Sequence, residues 1–387
     1  MRTYLLGRFA GIPISVHPSV ALLAVILILQ QGLLVDRGAA GYVLAGVLVA
    51  LLFGAVLLHE FGHALMARHY GLSVSDISLS PLGGISRIES LPRNPNVEMV
   101  IALSGPLVNL AIGVALIPPI VILGFMAGYS SLSDVLRDTV SGVGLIPLLV
   151  SFSIVNLLLL VFNLLPAFPM DGGLIFRALL AGRMGRETGT RVAVLTGQGL
   201  GVALIIAAVV WQLWALILIG MFVIIAAEAE WRSVQLEAAM RRLKVGAYAL
   251  WDMGGLSLDH PLTFALRGGP RDSVVTDDNG VVVGMVWRHQ LLHELQGGAG
   301  RRTVADIVDR NIVTADVSDS LHDIEQWMQT TNRWAIPVTE DGYYKGIFTA
   351  DRFVHVRRRI ADGSGGSRQI ATGLVNGTRR YLRRFGR

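Results

Sequence analysis

Long apolar runs, broken by short charged or glycine-bearing stretches, fill residues 1–240, and mixed apolar and polar positions take over from about residue 246. A helix needs about 20 consecutive apolar residues to cross a bilayer core. Runs of that kind lie at roughly 18–35, 41–66, 97–126, 143–165, 190–210 and 212–230. The last two merge into a stretch too long for one crossing, and Trp211, Gln212 and Trp214 mark an interfacial turn within it. The pattern predicts an α-helical polytopic membrane domain over 1–240, with about six transmembrane helices and both termini on one side. The first run lacks a basic stretch directly before it and is read as a retained span.

Charge selects the side. Loops after the second, fourth and sixth runs carry Arg68, Arg87 and Arg93, then Arg177, Arg183, Arg186 and Arg191, then Arg232, Arg241, Arg242 and Lys244. The opposite loops hold Asp36 and Arg37, and Asp134, Arg137 and Asp138. The positive-inside rule puts the termini in the cytosol, as expected of a multi-pass protein of the cell membrane.

Residues 246–356 contain a weak internal repeat. Val274 to Val286 and Ile336 to Phe348 each read as strand, acidic-glycine turn and strand, followed by a helix. This predicts a soluble, cytosolic α/β pair. From Arg357 to Arg387 there are nine arginines against Asp362 alone, a net +8 that leaves −3 for the rest of a chain totalling +5. That tail, 357–387, is expected to be a flexible solvated segment or to lie against anionic headgroups. No nucleic-acid motif accompanies it.

Composition narrows the chemistry. With 52% hydrophobic and 16% charged residues and no cysteine, any bound metal must be held by His, Asp or Glu. The second run contains His59-Glu60-Phe61-Gly62-His63. Two histidines four residues apart share a helix face, and the glutamate between them lies near a position for a metal-bound water. Catalytic zinc usually needs a third protein ligand and an open fourth position. Asn163 to Gly173 offers Asp171, carried past Pro166 and Pro169 on backbone that cannot stay helical, at the depth of His63. An acid there is costly unless paired or metal-bound; the alternative is an interfacial or N-cap aspartate. Between spans two and three, Ser80 to Glu89 holds Gly83 and Gly84 among alternating residues. It reads as a hairpin or re-entrant strand, or else as a plain surface loop.

Taken together, His59 to His63, Ser104-Gly105-Pro106-Leu107-Val108-Asn109 and Asn163 to Gly172 resemble the site-2 protease family of intramembrane zinc metalloproteases. Residues 246–356 resemble a tandem pair of CBS modules, as in the CBS-bearing branch of that family. The resemblance implies one Zn2+ per chain on His59, His63 and Asp171, with Glu60 as general base. It also implies that Asn163 and Pro169 help position substrate, and that the Pro81-Leu82-Gly83-Gly84 loop pairs with an extended substrate strand. For Asn109 it implies an active-site contact; a helix–helix hydrogen bond is the competing explanation. The expected substrate is a transmembrane protein, cut in or beside its membrane segment in regulated intramembrane proteolysis. CBS modules often bind adenosine nucleotide and dimerise. Here Thr349 follows Gly346-Ile347-Phe348 as that site requires, yet Arg352 stands where its acid is expected, and the first copy has Trp287 and Gln290 at the two places. A transporter or channel with CBS control, or an idle zinc-binding scaffold, are the rival readings; the first calls for inverted repeats that the sequence lacks and leaves the His59–Glu60–His63 spacing unexplained, and the complete motif set argues against the second.

Overall fold

Each long apolar run folds as helix, since a backbone in hydrocarbon must satisfy its own N–H and C=O groups. The computed structural model describes residues 3–34, 38–81, 83–88, 94–251, 254–266, 271–296 and 302–363. The chain divides into two units, Met1–Trp231 and Arg232–Arg387.

The first unit opens with a hairpin, β1 (Tyr4–Phe9) and β2 (Ile12–Val16), then α1 (Ser19–Leu34) and α2 (Gly38–His69). A second hairpin follows, β3 (Val74–Ser80) and β4 (Gly83–Ile88), and then α3 (Pro95–Ala115), α4 (Ile117–Met126), α5 (Leu132–Ser141) and α6 (Leu145–Asn163). The unit is completed by α7 (Asp171–Met184), α8 (Arg186–Val210) and the first part of α9 (Ala215–Arg242). Among the described residues four helices are long and apolar enough to cross a membrane: Gly38–His69, Pro95–Met126, Leu145–Asn163 and Arg186–Val210. They match the second to fifth runs. The break between α8 and α9 falls at Trp211 to Trp214, with both tryptophans about two-thirds exposed.

The four strands form one sheet in chain order, with β2 and β3 parallel and both hairpins antiparallel. Ile12, Ile14 and Ile77 from the sheet bury against Phe61 and Ala64 of α2, which lays the sheet beside the His59–His63 turn. β4 is the edge strand on that side. The helices approach closely where side chains are small. A Cβ on Gly62 of α2 would lie 2.7 Å from the Ser104 carbonyl oxygen of α3, and Ser153 of α6 donates to the Gly113 carbonyl of α3 at 3.1 Å.

The second unit holds β5 (Leu250–Trp251), β6 (Ser273–Thr276), β7 (Val282–Val286) and α10 (Arg288–Gln296), then β8 (Ala315–Asp316) and α11 (Leu321–Thr331). It ends with β9 (Ala335–Glu340), β10 (Tyr343–Thr349) and α12 (Ala350–Gly363). The repeat seen in sequence becomes two hairpins, β6–β7 and β9–β10, each followed by a helix. At the second turn Asp341 (φ 53°) and Gly342 (φ 86°) are left-handed, as an acidic-glycine hairpin turn requires. Each hairpin has its own core, one around Val275, Val286 and Leu291, the other around Ile336, Val338 and Phe348. Residues 364–387, with most of the basic tail, lie outside the described residues, as does Leu82.

Candidate active site

Helical pitch alone brings His59 and His63 together: their Nε2 atoms are 3.1 Å apart. Asp171 joins them from α7. Its Oδ2 is 3.1 Å from His59 Nε2 and its Oδ1 3.3 Å from His63 Nε2. One ligand atom from each of the three residues lies within 4.8 Å of the others. Both histidines are buried and the Asp171 side chain is 13% exposed. The His63 Nδ1–H donates to the Ile101 carbonyl of α3 at 2.8 Å, fixing the tautomer that turns Nε2 inwards. Asp171 does not sit on irregular backbone. The chain from Leu164 to Met170 is irregular, and Asp171 is the first residue of the next helix.

The space around these atoms is kept by a glycine. A Cβ at Gly105 of α3 would lie 2.7 Å from His59 Nε2 and nearer still to His63 Nε2. Two imidazole nitrogens and a carboxylate converging on a cradle that one methyl group would fill suit a zinc ion with an open coordination position. No thiol competes.

Glu60 is buried beside this cluster and faces β4. Ser86 of β4 donates through its hydroxyl, which lies 2.6 Å from Glu60 Oε2 and 3.1 Å from the Glu60 carbonyl oxygen. Gly84, two residues earlier on the same strand face, rests against the Glu60 side chain, where any Cβ would overlap it. Gly83 lies at the turn instead, with φ +125° and its carbonyl accepting from Ser80 at 3.0 Å. Ser86 belongs to no motif; once Gly84 is set against Glu60, the two-residue period of a strand brings Ser86 there too.

Asn109 is fully buried on α3, one turn beyond Gly105, and neither its Nδ2 nor its Oδ1 has a hydrogen-bond partner among the described residues. No helix–helix hydrogen bond from this side chain is made among the described residues. Asn163 closes α6 half-buried, and Pro169 is exposed in the turn before Asp171. Arg177, counted above as a loop cation, is instead buried in α7 and paired with Glu98 and Glu230.

In the second unit Thr349 lines a cavity of about 490 Å³ with Trp251, Arg271, Arg288, Trp334 and Asp351. The Thr349 hydroxyl accepts the Arg352 N–H at 3.3 Å, and Arg352 Nε donates to the Tyr248 carbonyl at 3.1 Å. The corresponding place in the first repeat holds Trp287, whose indole N–H donates to Asp309 at 2.8 Å while Arg333 stacks 4.7 Å from the ring. Burial pushes the Asp309 carboxyl up, but the indole N–H, the Asn311 backbone N–H and Arg333 together hold it below the usual range. The cavity there is about 200 Å³.

The sequence model of peptidase family M50 matches residues 47–208, a span that contains His59, Glu60, His63 and Asp171, and that of the CBS domain matches 304–359. A solved site-2 protease from Methanocaldococcus jannaschii is 31% identical, covering 59% of this chain and 95% of its own with a TM-score of 0.43. The CBS domain of a membrane protein from Sphaerobacter thermophilus is 20% identical, covering 34% of this chain and 96% of its own with a TM-score of 0.28. A zinc metalloprotease of Methanocaldococcus jannaschii is 32% identical over 351 residues, 89% of this chain and 93% of the relative. A likeness of that extent, reaching across both the helical unit and the CBS domain, makes the chain a member of peptidase family M50, the site-2 protease family of zinc metalloproteases.

Proposed function

We propose that this protein hydrolyses a peptide bond in or beside a transmembrane segment of a protein substrate, with one zinc ion per chain held by His59, His63 and Asp171. The observation that carries this reading is the convergence of Asp171 on the His59–His63 pair, directly beside Glu60 and an open strand edge. Zinc bound there supplies Lewis acidity for the scissile carbonyl and for the attacking water.

The chain's own residues do the rest. A substrate helix hides its peptide bonds in internal hydrogen bonds, so it must unwind before it can be cut. The β4 edge, Gly83–Ile88, offers backbone N–H and C=O groups to the freed strand by β-addition. Gly84 lets that strand lie close to Glu60. Glu60 takes the proton of the attacking water and delivers it to the leaving nitrogen, with Ser86 holding its carboxylate in place. Asn109, Asn163 and Pro169 contribute substrate contacts.

The membrane domain crosses the bilayer six times in this reading, α1 and the apolar first half of α9 joining the four longer helices, with both termini in the cytosol. Residues 246–356 act as a tandem CBS pair that regulates cleavage, takes an adenosine nucleotide beside Thr349, and dimerises. Release of a membrane-tethered regulator is the biological outcome expected of such a reaction.

Glu60→Gln tests the reading. It should keep zinc content and thermal stability while lowering cleavage of a reconstituted single-span substrate by about 10²–10⁴-fold, the usual contribution of a general base. Undiminished proteolysis would refute that role. Asp171→Ala should instead lower zinc content; unchanged stoichiometry would move the third ligand elsewhere.

A further inference from the structure

Among the described residues, Arg177 is the largest side chain that the fold buries completely. It lies on α7, six residues beyond Asp171. Its guanidinium donates through Nε at 2.9 Å, and through Nη2, to Glu98 of α3, and through Nη1 at 2.5 Å to Glu230 of α9. The same group lies 5.4 Å from the ring of Phe168, in the turn that leads into Asp171.

Such a cluster is not an obvious source of stability. A buried ion pair loses its hydration, and well-packed apolar residues often serve as well. What a planar guanidinium fork adds is geometry, because it fixes both the distance and the rotation of the elements it joins. Here the joined elements are those of the candidate zinc centre. Glu98 stands one turn before Ile101, whose carbonyl holds His63, and two turns before Gly105, whose missing side chain leaves room for the ligand atoms. So α3 holds His63 through its backbone and α7 through Glu98. The first turn of α7 packs through Gly172 and Gly173 directly on the backbone of Leu164 to Phe168, so its position follows that turn, and Arg177 reaches the same turn at the Phe168 ring.

We propose that Arg177 is a positioning residue for the zinc centre: by clamping α7 to α3 through Glu98, it sets where the Asp171 carboxylate meets His59 and His63. The proposal rests on the zinc reading given above. It assigns Arg177 no contact with substrate or with the reacting atoms.

The test uses the full chain purified in detergent and the double variant E98L/R177M, which removes both charges and fills the space with apolar side chains. Metal-free thermal unfolding should stay within a few degrees of wild type. Zinc affinity, measured by chelator competition, should fall at least about 10-fold, as for other residues that orient metal ligands. The visible absorption bands of the cobalt(II)-substituted protein should shift in position and intensity, which a purely structural role would not cause. R177K, which keeps the charge without the fork, should recover only part of the affinity. Wild-type zinc affinity together with a wild-type cobalt spectrum in E98L/R177M would overturn the proposal. Should that variant fail to fold, E98Q decides: it keeps the size of the side chain and an acceptor oxygen for Arg177 but removes the charge-assisted fork, while Glu230 still neutralises the guanidinium. Weaker zinc binding in E98Q supports the clamp, and unchanged binding overturns it. Failure of the wild-type chain itself to bind zinc or cobalt would sink the metal reading instead.

Discussion

Two glycines separate metal binding from proton transfer at the scale of single residues. Gly105 borders the Nε2 atoms of both histidines, whereas Gly84 borders the Glu60 side chain. Gly105→Ala should therefore weaken zinc binding by about 10-fold or more, and cleavage should fall with it. Gly84→Ala should leave zinc content at wild type while lowering turnover by about 10²-fold or more, because Glu60 is displaced from its place. Zinc stoichiometry and cleavage rate measured on the same preparations check both. Equal zinc loss in the two variants would show that the sites are not separable in this way. The same scale shows what the sequence makes legible. His59, Glu60 and His63 are read from helix periodicity, and Asp171 from the cost of an acid at membrane depth. Ser86 and Arg177 are not readable this way, because a serine in a strand and an arginine after a span are ordinary until their partners, 26 and 79 residues away, are known.

Between elements, packing depends on how closely helix backbones approach. Gly62 follows Glu60 by two residues, and a methyl group there would lie 2.7 Å from the Ser104 carbonyl oxygen and 3.0 Å from a Val108 methyl. Neither the α2 nor the α3 backbone can give way without moving the histidines or Gly105. Gly62→Ala should cost about 1–3 kcal/mol by overpacking, read as a lower unfolding midpoint in detergent. An unchanged midpoint would mean that the two helices have slack at this crossing. The helices themselves are legible because length and apolarity suffice to call a membrane-capable helix. The sheet is less so. Ser80 to Glu89 reads as a hairpin or re-entrant strand, and β4 is there; the two hairpins are local, but their union into one sheet pairs β2 with β3 across the whole of α1 and α2, and no local pattern encodes such a pairing. The segment carrying Arg177 and Arg183 reads as a basic loop and is instead the helix α7. Removing Arg177 from the tally of cations after the fourth run leaves Arg183, Arg186 and Arg191, so the expected orientation is unchanged.

At the scale of the whole molecule, the two repeats of the second unit share a fold but differ in the cavity each leaves. Around Thr349 a cavity of about 490 Å³ lies beside Arg271 and Arg288, cations suited to phosphates, and beside Trp251 and Trp334, rings suited to a base. At the equivalent place in the first repeat, the protein's own Trp287 and Arg333 stack on each other and share Asp309, leaving about 200 Å³. The asymmetry predicts one adenosine nucleotide per chain rather than two. At 100 times its dissociation constant such a ligand stabilises the folded state by about 2.7 kcal/mol. In the full chain that should appear as a rise of several degrees in the unfolding of the second unit, with a titration stoichiometry near one. Arg288→Glu should abolish the rise by placing an anion against the phosphates. A full-length protein whose unfolding does not respond to millimolar adenosine nucleotide would leave Arg352, where the family pattern has an acid, as the reason: its Nε is committed to the Tyr248 carbonyl, and no carboxylate stands at that position to hold a ribose. If the second unit instead acts by dimerising, as proposed above, cleavage rate should follow protein concentration in the membrane rather than nucleotide level.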